Sequence, residues 1–237
     1  MIGRAKKNST AADNYLDYTM KVMKENEEFL RRNAEETYGE VIDLINDAID
    51  LVGFAVKRKG SREDYVKRSM VFFLHHIFMP SSYAIHTDLL IGNLPTCFME
   101  LRLMLESLVK CYLADLKYPE QSFFQEKLEL VEDDLKRGST SKLMKELGEK
   151  LGLKNDFIAL WDKLSKDWIH PKGVIDKVVT QISEKSGAPS WALVIPMNYA
   201  EDDLDTINEL CKRVSQFRVL LKFTIDNYKQ ESGFEEG

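Results

Sequence analysis

Apolar residues recur along most of this chain at intervals of three and four, the signature of helices that bury one face. The stripe is clearest at Val41, Leu44, Ile45, Ala48, Leu51, Val52 and Ala55, and again at Phe98, Leu101, Met104, Leu105, Leu108, Val109 and Tyr112. A third runs through Leu204, Ile207, Leu210, Cys211, Val214, Phe217, Leu221 and Ile225. Around these anchors the punctuation predicts helices over 13–58, with a bend near Gly39, and over 61–77, with Ser61 as N-cap and Asp64 at the capping-box position. Further helices are predicted over 82–90, 95–117, 119–135, 141–151, 156–168 (capped by Asn155) and 199–228. Pro80 is expected to end one helix, and Pro95 to sit in the first turn of another, where its missing N–H costs nothing. The stretch Val174–Trp191 has weak periodicity and predicts a long loop, or a short helix followed by a loop. Trp191–Pro196 reads as extended chain too short to build a sheet.

This pattern predicts an all-α, up-and-down bundle of seven to nine helices with a short extended segment at 191–196. Residues 1–60 are expected to form a helical extension packed on the bundle, 61–230 the bundle itself, and 231–237 a fraying tail.

Composition narrows the classes. Of the 237 residues, 44% are hydrophobic, enough for a substantial core, and 30% are charged, above the ~25% usual for globular chains. The net charge of −6 supplies no global field that would draw the chain onto nucleic acid or an anionic bilayer. The most apolar stretch, 70–116, is interrupted by charged and polar residues and never reaches the ~18 uninterrupted apolar positions of a membrane helix. The polar N-terminus with Arg4, Lys6 and Lys7 leads into no apolar run, so no secretory signal is expected and a cytoplasmic setting is. Cys97, Cys111 and Cys211 lack CxxC spacing and sit in apolar helical patterns, which predicts buried thiols and neither disulfides nor a zinc site.

Three groups could carry chemistry. Arg102, Glu106 and Lys110 stand four apart on one helix row, either a solvent-facing ion-pair ladder of little energetic weight or the lining of a crevice. The segment Trp161–Pro171 holds Ser165 and His170 among lysines. His170 stands where a helix ends, and there it is either a dipole-favoured cation or an acid–base group. Residues 135–177 carry ten Lys or Arg against six Asp or Glu, a local basic excess that would suit a phosphate-bearing partner. His75, His76 and His86 form the third group. Adjacent helical residues point about 100° apart, so packing roles are expected for these histidines, with no metal and no cofactor. Phosphate loops of the GxGxxG or GK[ST] kind and the GxSxG elbow are missing from the sequence.

Two pieces together resemble a family. Leu89-Leu90-Ile91-Gly92-Asn93 followed by Glu100-Leu101-Arg102-Leu103-Met104-Leu105-Glu106-Ser107, and then Leu164-Ser165-Lys166-Asp167-Trp168-Ile169-His170-Pro171, look like the LR-x-LLE and LS-x4-HP elements of HEPN-like helical proteins of prokaryotes. The resemblance spans residues 80–171. It implies a helical bundle, commonly a homodimer, whose active members are metal-independent ribonucleases with an Arg-x4-His motif. Here Ser165 occupies the arginine position ahead of His170, and serine brings no charge to a phosphate. Two readings follow. In the first, the chain is a dimeric binding or interaction module for RNA or a nucleotide, with no membrane partner. In the alternative it is a ribonuclease in which His170 is the acid–base group, Ser165 orients the phosphate, and Arg102 held by Glu106 stabilises charge. In a third, structural reading the Arg102–Glu106 pair serves as a folding device that bonds the loop around Ser165 and His170.

Overall fold

The computed structural model describes residues 11–57, 60–135, 140–168 and 195–234. The described residues are helical with irregular connections and contain no strand. The helices are α1 (Ala11–Asn33), α2 (Glu35–Lys57), α3 (Ser61–Lys67), α4 (Ser69–Phe73), α5 (Met79–Leu90), α6 (Leu94–Lys117), α7 (Phe124–Leu135), α8 (Thr140–Leu151), α9 (Lys154–Trp168) and α10 (Leu204–Ser232). A π-helical turn, Leu74–Phe78, joins α4 to α5 without a break. Counting that rod once gives nine helices among the described residues, the all-α bundle that the periodicity predicts.

The central element is α6. Every residue of its predicted stripe is buried, and α4, α5, α7, α8, α9 and α10 all pack around it. Phe98 stacks on Trp168 of α9 with ring centroids 3.9 Å apart, which fixes the end of α9 on the central helix. The α2 stripe enters the same core through Val41, Leu44 and Ala48. Polar ties add to this packing: Arg218 of α10 pairs with Glu40 and Asp47 of α2, and Thr37 donates to the Ile207 carbonyl. The three cysteines are buried and free. No helix among the described residues is long and apolar enough to cross a membrane.

Several predicted boundaries move, each for a physical reason. The first helical stretch divides at Ala34, while Gly39 lies inside α2 with open space where a Cβ would stand. Gly60, with φ of 78°, takes the cap position assigned to Ser61, and the Asp64 carboxylate pairs with Arg68. The helix predicted over 61–77 breaks at Arg68, whose backbone is extended, because Asp115 on α6 accepts the Ser69 and Met70 N–H groups and so starts a new helix there. Pro80 does not end a helix. The π turn just before it widens the backbone where proline offers no N–H and crowds the preceding turn, and the rod runs through. Pro119 lies in a turn, so α7 starts at Phe124. Asn155 falls inside α9, which begins at Lys154, close above Gly148 of α8, where a Cβ would meet the Lys154 Cα at 2.6 Å. The last long helix starts at Leu204, after a 3₁₀ turn, and extends to Ser232. The chain stays docked beyond Glu231 as far as Phe234, which is 2% exposed.

The irregular stretch before α10 is stitched to the other end of the fold. Met197 N–H donates to the Ile91 carbonyl, and Tyr199 hydroxyl to the Leu89 carbonyl. Asn26, 1% exposed on α1, donates to the carbonyls of Leu90 and Met197 and accepts the Tyr199 N–H. Gly92 has φ of 81°, and a Cβ there would lie 2.2 Å from the Met197 carbonyl oxygen, so the turn into α6 requires glycine twice over.

Candidate functional site

The row on α6 is neither a free ladder nor a single cluster. Arg102 donates to Glu106 Oε1 from Nε and from Nη2, both at 2.9 Å. Trp161 of α9 donates its indole N–H to the same oxygen at 2.8 Å, and its ring lies 5.3 Å from the guanidinium carbon. The two ionic side chains are 17% and 22% exposed, half-sunk between helices where an ion pair is screened less than at the surface. Lys110 turns the other way and pairs with Glu132 of α7 at 2.6 Å. One end of Arg102 is left over: Nη1 is buried and has no hydrogen-bond partner among the described residues.

Ser165 stands one helical turn beyond Trp161 and is 2% exposed. Its hydroxyl donates back to the Trp161 carbonyl at 2.5 Å, a bond that removes its proton from use elsewhere. Trp161 therefore links Ser165 to the Arg102–Glu106 pair. His170 lies outside the described residues, as do the predicted break at 170–173, the stretch 174–191 and most of the extended run.

The remaining histidines sit in two places. His75 and His76 pack on the ring of Tyr65, whose hydroxyl bonds His76. His86 lies 6.0 Å from the Tyr38 ring. Among the described residues no three His, Cys, Asp or Glu side chains are grouped as metal ligands. The Nε2 of His86 is buried without a partner among the described residues, and burial lowers its pKa, opposed by the nearby Glu27 carboxylate. Because the folded pKa lies below the unfolded one, the unfolded chain takes up the proton first. Stability is therefore full above the usual imidazole range and falls as pH drops through it. The urea midpoint should decline between about pH 7 and pH 5, and His86→Phe should flatten that decline. An unchanged slope in the variant would remove His86 from the account.

A second polar cluster escapes the motif reading. Lys127 on α7 is 3% exposed and pairs with Asp115 on α6, whose side chain is 6% exposed, at 2.9 Å. Asp115 also accepts the Ser69 and Met70 N–H groups and the Tyr228 hydroxyl of α10. Burial pushes the Tyr228 pKa up, which keeps its proton on as a donor. Arg68 joins from the extended link between α3 and α4, donating to Asp64, to Tyr228 and to the Ser232 carbonyl. These groups line a cleft of about 530 Å³. A signal for them exists in the sequence. Lys127 follows Phe124 by three and precedes Val131 by four, and Asp115 follows Tyr112 by three, so both stand on buried stripes where a charge is costly unless paired.

Compared with protein-family models, with curated proteins and with solved structures, the chain matches none of them.

Proposed function

We propose that the chain is a HEPN-like helical binding module that works as a homodimer and holds a phosphate-bearing ligand, RNA or a nucleotide, on the face shared by α6 and α9. One observation carries the reading: the buried, unpartnered Nη1 of Arg102. A buried donor without an acceptor is costly, and a native fold that keeps one invites an anion to complete it. Glu106 fixes the opposite edge of the guanidinium and Trp161 lies beside it, which leaves Nη1 as the donor a phosphate oxygen would complete once the ligand displaces what covers it. Met99 and Leu103, exposed on the same central helix, offer apolar surface beside Arg102 for a second copy.

Binding is favoured over catalysis because the motif position holds Ser165, whose hydroxyl is committed to the Trp161 carbonyl. The ribonuclease reading, with His170 as acid–base group, rests on the proximity of this cluster to the end of α9, two residues before His170.

The test is fluorescence anisotropy with a labelled single-stranded RNA and with a labelled ATP, alongside light scattering for the mass of the particle. Binding that weakens with salt is expected, with Arg102→Gln about tenfold weaker, since one charge-assisted contact is lost. The RNA should remain intact in metal-free buffer. Cleavage that disappears in His170→Ala would transfer the assignment to the ribonuclease. No binding of either probe would defeat both.

A further inference from the structure

The cleft between α3, α6, α7 and α10 stands apart from Arg102, and its hydrogen bonds do not balance. An ammonium carries three protons. Lys127 gives one to Asp115, and the other two have no acceptor among the described residues, although the side chain is 97% removed from water by its 3% exposure. Asp115 cannot help further. A carboxylate offers about four acceptor positions, and Asp115 already takes Ser69 N–H, Met70 N–H, Lys127 and Tyr228 at 2.8–3.0 Å. Two further acids of the lining are engaged as well: Asp64 with Arg68, and Glu231 with Lys150 and Tyr112. Among the described residues Arg68 uses three of its five N–H groups, leaving two. The inner wall thus has donors to spare while Asp64, Asp115 and Glu231 are committed, and Glu63 is the remaining acid of the lining.

We propose that this cleft binds a small organic carboxylate, its oxygens on the Lys127 ammonium and the Arg68 guanidinium and its apolar body against Leu116, Pro119 and the Tyr112 ring. All five residues line the cavity, whose volume of about 530 Å³ suits a small ligand. A single negative charge fits better than two. Glu63 at the rim and Glu231 on the wall would repel a phosphate dianion more than a monoanion. A ligand oxygen at Lys127 completes a charge-assisted bond in a site screened from water, where such bonds are strong.

The experiment is a titration of the full chain with acetate, butyrate, benzoate and inorganic phosphate, followed by amide NMR. Saturable shifts with butyrate or benzoate, centred on Arg68, Ser69 and Met70, are expected. Lys127→Met should weaken them about tenfold or more, the loss of a bond to a charged donor. Because that variant also disturbs Asp115, Leu116→Trp provides an independent check: Leu116 is 41% exposed at the rim, and the larger ring closes the cavity without touching the network. Both variants losing the shifts supports the site. Binding of phosphate with no carboxylate response, no saturable shift in the folded wild type, or shifts unchanged in both variants would overturn it.

Discussion

Asp115→Ala should lower the unfolding free energy by about 3–5 kcal/mol, the usual cost of breaking a buried ion pair by removing one partner. Three losses coincide. Lys127, almost without exposure, is left as an unpaired buried cation. The first two amides of α4 lose their cap. The Tyr228 hydroxyl loses its acceptor. Urea unfolding gives the magnitude. The double variant Asp115→Ala/Lys127→Met should recover part of the loss, because the stranded charge is removed with its partner. A loss below about 1 kcal/mol in Asp115→Ala would mean that water reaches Lys127 freely and that the network contributes little.

Asn26→Leu should cost about 3 kcal/mol, since leucine fills the space and strands the backbone groups that the amide served, each worth about 1–3 kcal/mol when buried and unpaired. Those groups are the carbonyls of Leu90 and Met197 and the Tyr199 N–H. Hydrogen exchange offers a local check. The Tyr199 amide should lose protection ahead of the α6 core, whose residues Leu101, Met104 and Leu105 are fully buried. Equal exchange at Tyr199 in the variant and the wild type would mean that the stretch is held by other contacts.

The helices were readable wherever a stripe was long and uninterrupted. All seven residues of the 98–112 pattern are buried, because a central helix wrapped on most sides has its pattern written by every neighbour. Breaks were readable only when their cause was local. The break at Arg68 comes from a carboxylate on α6, at Asp115, that no nearby residue announces. The passage of helix through Pro80 depends on a π turn, a backbone adjustment that propensity does not encode. The candidate site was half legible. The i, i+4 spacing revealed the Arg102–Glu106 pair, but the Trp161 bond to Glu106 spans 55 positions and needs the packing of α9 on α6. Lys127 and Asp115 belong to no motif, and only their place on an apolar stripe marks them in the sequence.

The stitching by Asn26 also orders events in time. Its partners on Met197 and Tyr199 lie 171 and 173 positions downstream. While the chain is being synthesised, α1 emerges early and cannot be sewn down until residue 199 has left the ribosome. During that interval α1 has only α2, α5 and the Leu90 carbonyl to rest on, and Tyr15, Leu16 and Met20 stay uncovered even at the end. Helix α1 is thus synthesised well before the stretch that secures it, and over that period a holdase that grips apolar helices has an opportunity to bind it.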